Sequence, residues 1–259
     1  MLHMICANLK SGDCHSGRAV PPFGAPKKKR RLAVTVIAVA LVLVAVVVFF
    51  VGRSGEPPPE VGDIIEFGGY NWLVLEVWEG GRFERHRVLI ITEEIISRQR
   101  FDRNRRGRFV RWSDSDIRQY LNNDFYGRFT EQERRRISYT FVLNENDPWT
   151  TQLGSWGDDT RDKIFLLSVR QVVRYFGNSG QLVAGPNHPD NTSVGFHDQY
   201  SSYRIAHSAD GVPFTIGWWL RSTGIHTASL VESDGFLRVR GLSADDSWGG
   251  VRPALWLYL

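Results

Sequence analysis

The chain has 259 residues, with 32 Lys and Arg against 28 Asp and Glu, and only two cysteines. The basic excess lies at the N-terminus, because residues 1–31 hold seven basic residues and one acidic residue, whereas residues 61–259 hold 24 and 25. This balance gives the large C-terminal part no electrostatic support for nucleic-acid binding. Both Cys6 and Cys14 precede that part, which excludes disulfides, thiolate metal sites and a catalytic thiol there.

An apolar run at residues 32–52 has one polar side chain, Thr35, before residue 52. At about 1.5 Å rise per residue, such a run can span a hydrocarbon core of ~30 Å. Five basic residues precede it and only Arg53 directly follows, which predicts a cytoplasmic N-terminus. The sequence thus predicts a single-pass protein of the cell membrane with a cytoplasmic basic tail (1–31), a transmembrane helix (32–52), a Pro-rich linker (53–60) and an extracytoplasmic domain (61–259).

Short strands and short helices are predicted in the first half of the domain. Residues 63–67 and 71–77 flank two glycines and predict a hairpin, and residues 87–92 predict a third strand. Ser113 or Ser115 can cap a short helix, and Thr130 with Glu133 forms a capping box for a second helix.

Residues 163–167 predict a further strand. Ser168 and Gln171 form a second capping box for a helix over residues 169–176, which is expected to end at Gly177 in the left-handed conformation. Separated helices and short strands without a βαβ rhythm indicate the α+β class.

A second hairpin is predicted near the C-terminus, around Asp234-Gly235 in a two-residue type I′ turn. This turn sets the register of the flanking strands. It places Leu230 opposite Val239 and Ala228 opposite Gly241 on a core face, and Ser229 opposite Arg240 and Val231 opposite Arg238 on an outward face.

The outward face and the loop that follows it mix charge, hydrogen-bonding groups and one large aromatic ring, which is typical of a recognition patch. The predicted ligand-binding residues are His226, Ser229, Val231, Arg238, Arg240, Asp245, Asp246 and Trp248. The alternative is that these side chains only solvate a hairpin.

A second candidate surface is the segment of residues 98–111, which holds seven arginines and one aspartate. It is either a solvated loop or an anion-binding patch for phospholipid head groups or anionic wall polymers. The patch residues are Arg103, Arg105, Arg106 and Arg108.

Several blocks, among them GDIIEFGGYNWLVLEV, GWWLRS and the closing GVRPALWLYL, resemble the bacterial DUF6273 domain. That family is uncharacterised and is similar to the C-type-lectin-like group, which includes formylglycine-generating enzymes. The resemblance covers residues 61 to the end. It implies an α+β, C-type-lectin-like fold with short antiparallel strands, few short helices and long loops, in which residues 251–259 lie beside strand 63–67.

The resemblance carries no catalytic residues to this chain. The cysteine pair of formylglycine-generating enzymes is absent, and the histidines show no HxxxH or HxE pairing like that of the related iron enzymes. Neighbouring acids such as Asp158-Asp159 lack calcium-loop spacing. We therefore expect no enzyme activity and no cofactor or metal.

The predicted function is a membrane-anchored extracytoplasmic ligand-binding or sensing module, whose partner is an extracellular protein or a glycan or other envelope ligand. Two alternatives stay open at this point. One is an enzyme with an unrecognised metal-dependent site, and the other is a structural cell-envelope protein.

Overall fold

The computed structural model describes residues 57–81, 84–103, 109–144, 157–177, 195, 197–209 and 217–259. The predicted cytoplasmic tail, the apolar run and residues 53–56 of the linker lie outside these ranges. The described residues form two main sheets, one small sheet and a few short helices.

A four-stranded antiparallel sheet is built from both ends of the domain. Its strands are β1 (Ile64–Phe67), β2 (Tyr70–Trp78), β3 (Arg87–Thr92) and β11 (Ala254–Tyr258). The order across the sheet is β1-β2-β3-β11. The predicted first hairpin and third strand are therefore confirmed.

The closing strand does not lie where it was predicted. β11 pairs with β3, with Leu255 opposite Ile90 and Leu257 opposite Val88, so β1 lies at the far edge of the sheet. The prediction that residues 251–259 lie beside residues 63–67 is wrong. An apolar pattern on both faces of a strand indicates that the strand is buried, but it does not select the neighbour.

A five-stranded sheet carries the predicted C-terminal hairpin. Its strands are β4 (Ser97–Arg98), β7 (Trp218–Thr223), β8 (Thr227–Val231), β9 (Leu237–Ser243) and β10 (Gly250–Val251). The order is β4-β10-β7-β8-β9, and only the β10–β7 pair is parallel. A two-stranded sheet joins β5 (Thr140–Val142) to β6 (Thr160–Asp162).

The register of the β8–β9 hairpin differs from the prediction by one residue. Val231 lies opposite Leu237 and Leu230 opposite Arg238. The turn is longer than predicted, because Glu232 N–H donates to the Phe236 carbonyl at 2.8 Å and Gly235 has φ +82°. A left-handed glycine at the end of a three-residue turn is a common alternative to the type I′ turn.

Both capping boxes that the sequence predicts are present. The α-helices are α1 (Asp116–Tyr120), capped by Ser115, α2 (Glu131–Arg136), α3 (Val169–Phe176) and α4 (Ser201–Arg204), and a π-helix (Leu121–Phe125) and a 3-10 helix (Tyr126–Arg128) follow α1. Gly177 at the end of α3 has φ −160°, so the predicted left-handed stop is wrong and the chain leaves in an extended conformation. The strand predicted at residues 163–167 is wrong as well, because β6 ends at Asp162.

One hydrophobic core joins the two main sheets and the helices. It contains the indole rings of Trp72, Trp112, Trp218 and Trp219, all fully buried. The end of β7 lies against the start of α3, because Arg221 N–H donates to the Leu167 carbonyl at 2.9 Å and Val169 N–H donates to the Ser222 hydroxyl at 3.0 Å.

The predicted α+β class agrees with this architecture, but the predicted fold needs one correction. The predicted fold includes a transmembrane helix, whereas within the described ranges no helix is both long and apolar enough to cross a membrane. Residues 32–52, from which it was predicted, lie outside the described residues.

Candidate binding cleft

Two of the predicted ligand-binding residues lie in the interior. Ser229 is 1% exposed and Val231 is fully buried, and the Ser229 hydroxyl donates to the Val239 carbonyl at 2.6 Å. Because β8 is covered on both faces, the predicted outward face of the hairpin is wrong for these two residues.

The other predicted residues of this group reach the surface to different extents. His226, Arg240, Asp245 and Trp248 are exposed, and Trp248 keeps 57% of its surface. Arg238 is half-buried, where it forms an ion pair with Glu232 and lies 5.8 Å from the Phe236 ring. Asp246 is also half-buried and accepts the Trp248 N–H at 2.8 Å.

The start of the arginine-rich segment lies beside the Trp248 loop. The Arg98 guanidinium carbon is 5.6 Å from the Trp248 ring, and Arg100 forms an ion pair with Asp245 at 3.5 Å. Arg98 and Arg100, at the start of this segment, therefore share one face with Asp245 and Trp248. Of the predicted anion patch, Arg103 is exposed, whereas Arg105, Arg106 and Arg108 lie outside the described residues.

Metal-ligating side chains do not gather anywhere in the described part of the chain, where no group of three His, Cys, Asp or Glu could hold an ion. His197 contacts Asp234 at 3.4 Å without a third such group.

A cleft of about 400 Å³ opens beside the four-stranded sheet, and it was not among the predicted sites. We call it the cleft. Sheet residues Glu76, Leu89 and Trp256 line it, together with residues of β5, the first turns of α3 and the end of β7. Its volume lies within the range of pockets that bind small ligands.

Glu76 is held against the wall of the cleft by two residues of α3. The Tyr175 hydroxyl donates to its carboxylate, and Arg174 forms an ion pair with it at 3.1 Å. Burial, followed by the hydrogen bond to Glu76, raises the pKa of the Tyr175 hydroxyl above its ordinary value. A β-bulge between Val74 and Glu76 sets the direction of this side chain, as bulges beside binding sites often do.

Arg221 contributes a fixed positive charge to the same wall. Its side chain is 7% exposed and donates to the Leu166 carbonyl at 2.8 Å and to the Leu143 carbonyl at 3.3 Å. It also donates to Gln171, whose side chain accepts the Ser168 N–H in the capping box. The helix cap and the cleft wall are thus one hydrogen-bonded unit.

Two buried oxygens in the cleft wall lack hydrogen-bond partners among the described residues. They are Thr140 Oγ1 and Asn144 Oδ1. Buried polar atoms almost always have a partner, so such an atom beside a cavity indicates a place for a ligand or water. The lining also carries three arginines, Arg170, Arg174 and Arg221, against one glutamate, so an anion is favoured there.

The comparison with known families supports the resemblance seen in the sequence. A family described as "Domain of unknown function (DUF6273)" matches residues 85–259, which is more than half of the chain. The chain belongs to the DUF6273 family. No curated protein and no solved structure matches the chain, and the predicted similarity of DUF6273 to the C-type-lectin-like group is not shown.

The DUF6273 match begins just before β3, so Glu76 precedes it while the other residues of the cleft fall within it. The cleft could not be predicted from the sequence, because the position of the cleft depends on the bulge in β2 and on the packing of α3. One signal was available. Arg170, Arg174 and Gln171 give one side of a predicted helix a polar character that solvation alone also explains.

Proposed function

We propose that the DUF6273 domain of this chain is a ligand-binding module without catalytic activity, and that the cleft holds an anionic ligand. The observation that carries the proposal is that the buried oxygens of Thr140 and Asn144 have no hydrogen-bond partner among the described residues, in a wall with three arginines and one glutamate. A ligand that satisfies them regains hydrogen bonds that the empty protein lacks.

The chemistry of the wall defines the ligand further. The Thr140 hydroxyl can donate to a carboxylate, whereas Asn144 Oδ1 can only accept and therefore requires a donor such as a ligand hydroxyl. Phe165 and Trp256 add apolar area beside these polar atoms. A hydroxylated carboxylic acid with an apolar face, such as a sugar acid, combines these features.

The binding role agrees with the function that the sequence predicts, and a glycan or other envelope ligand remains the proposed partner class. The extracytoplasmic localisation depends on residues 1–56, which the structure does not describe, and it stays a prediction from the sequence. The two alternatives, a metal-dependent enzyme and a structural envelope protein, are distinguished by the experiment below.

The test is calorimetric titration of the purified full-length chain with glucuronate, with glucose as the neutral sugar and with lactate as a small hydroxy acid. We expect glucuronate to bind most tightly without being consumed. Turnover of glucuronate would instead favour the enzyme, and binding of none of the three compounds would overturn the proposal.

A pair of matched variants locates the binding. Thr140→Val removes the hydroxyl in the cleft, and we expect the affinity for glucuronate to fall about tenfold. Thr92→Val is the control, because Thr92 Oγ1 is also buried without a partner in the described part of the chain but does not line the cleft. Equal affinities in the two variants would place the ligand elsewhere.

A further inference from the structure

The face of the sheet that forms the cleft continues toward one end of the strands. Leu89 lies opposite Glu76 and Trp256, and Arg87 lies opposite Trp78 and Tyr258. Residues directly opposite one another share a face, and positions two apart along a strand are about 7 Å apart on it. The row of Arg87 is therefore the next row on the cleft face.

Arg87 lies beside two indole rings, that of Trp78 in its own row and that of Trp256 in the neighbouring row. Its guanidinium carbon is 4.6 Å from the centre of the Trp78 ring and 4.8 Å from that of the Trp256 ring. Next to it, the Arg85 guanidinium lies 5.7 Å from the Tyr258 ring. Stacking occupies the faces of a guanidinium, whereas its hydrogen-bond donors point outward in its plane.

A second depression of about 360 Å³ opens at this position, and we call it the Arg87 subsite. Its lining residues are Trp78, Glu84, Arg85, Arg87 and Tyr258. In the described part of the chain, neither arginine forms an ion pair, and Arg87 Nε is buried without a hydrogen-bond partner. The subsite thus presents two cations against one acid.

Trp256 connects the subsite to the cleft. Its side chain lines the cleft and also stacks on the Arg87 guanidinium. Both depressions carry excess positive charge beside aromatic rings, and they involve neighbouring rows on one face of the sheet. We propose that they form one groove for an acidic oligosaccharide, with consecutive sugar acids in the cleft and in the Arg87 subsite.

This inference rests on the proposed function of the cleft and extends it from a single unit to a chain. Arginine is suited to binding acidic oligosaccharides, because its planar donors match a carboxylate in two-point contact. Indole rings offer area to the C–H face of a pyranose ring. Together these groups recognise the two features that repeat along an acidic glycan.

An acidic peptide fits the groove less well. Extended peptides commonly bind by pairing with a free strand edge. The outer edge of β11 is already covered, because Ser138 N–H donates to the Trp256 carbonyl at 2.8 Å and Arg136 Nε to the Tyr258 carbonyl at 3.2 Å. Phe165 covers the start of the same strand through backbone hydrogen bonds with Ala254. A ligand in this groove is therefore recognised by side chains and not by backbone pairing with β11.

The test compares galacturonate oligomers of one, two and four units by titration of the full-length chain. We expect the dimer to bind about a hundredfold more tightly than the monomer, because the second unit binds as part of the same molecule. Arg87→Met and Arg85→Ala should each reduce this gain at least tenfold and leave the monomer affinity unchanged. Arg135→Ala, which removes an exposed arginine from α2, is the control.

The outcomes separate the two proposals. Monomer binding without a gain for longer oligomers overturns the Arg87 subsite and leaves the cleft in place, whereas failure of every galacturonate to bind overturns both. Tighter binding of oligoglutamate than of galacturonate oligomers overturns the glycan class. Arg85 is exposed, so its variant decides the result even where Arg87→Met fails to fold.

Discussion

Arg204 and Asp198 form a two-point ion pair in the interior of the domain. Arg204 Nη2 lies 2.8 Å from Asp198 Oδ1 and Nη1 lies 3.1 Å from Oδ2, and the two side chains are 0% and 9% exposed. Arg204 Nε also donates to the Gly235 carbonyl at 2.9 Å. The pair therefore holds α4 against the turn of the β8–β9 hairpin.

Asp198→Asn should reduce the free energy of unfolding by about 3–5 kcal/mol, because it removes the negative charge that Asp198 places against the buried Arg204 guanidinium. Urea unfolding at neutral pH measures this loss. Asp234→Asn makes the same substitution at a carboxylate that is 61% exposed and should change stability by less than about 0.5 kcal/mol. Similar losses in both variants would contradict the structural importance of the pair.

Gly235→Ala should destabilise the domain more than Gly69→Ala. Both glycines have positive φ, +82° and +76°, so each alanine incurs a backbone strain of about 1–2 kcal/mol. A Cβ at position 235 would also lie 1.9 Å from the Ser201 carbonyl oxygen, whereas one at position 69 meets no atom within 4 Å. The difference between the two unfolding free energies isolates the steric part, and equal values would show that α4 moves freely away from the turn.

Tyr175→Phe should remove about 1.5 kcal/mol of stability at pH 7, because the hydroxyl donates to the charged Glu76. The folded state raises the pKa of Tyr175, so the stability from the neutral hydroxyl is present below the unfolded pKa of about 10 and is lost as the pH rises above it. The free energy of unfolding, measured at pH 7, 9 and 11, should therefore decrease more steeply with pH for the wild type than for Tyr175→Phe. Tyr203→Phe, at an exposed position, should follow the wild type.

The double variant Arg240→Ala with Trp248→Ala should change the unfolding free energy by no more than about 1 kcal/mol, because both side chains are exposed. It should leave galacturonate affinity unchanged, since neither residue lines the cleft or the Arg87 subsite. If a macromolecular partner binds the Trp248 face with both residues at the centre of the interface, the double variant should bind that partner more weakly by a few kcal/mol. Urea unfolding measures the change in stability, and titration with galacturonate measures the affinity.

Local signals in the sequence predicted local structure well. Thr130 with Glu133 and Ser168 with Gln171 are capping boxes within single stretches of four residues, so each motif fixes its own helix start. The strand Arg87–Thr92 also has the predicted bounds. These elements needed no information from distant parts of the chain.

Features that depend on tertiary packing were not predictable in the same way. The turn is one residue longer than predicted, so Leu230 lies opposite Arg238 instead of Val239. A register shift of one residue changes which face of the sheet each side chain of the shifted strand occupies. The burial of Ser229 and Val231 depends on layers that cover both faces of β8. The cleft needed the bulge before Glu76 and the placement of α3, which no single segment encodes.

The pairing of β3 with β11 also affects how the chain can fold during synthesis. The outer neighbour of β3 consists of residues Ala254–Tyr258, which follow β3 far along the chain and are therefore made much later. Until they emerge, Val88, Leu89, Ile90 and Ile91 form an apolar strand with an open edge, which favours association between nascent chains. Chains truncated by early termination before residue 254 should therefore aggregate rather than accumulate as folded domains.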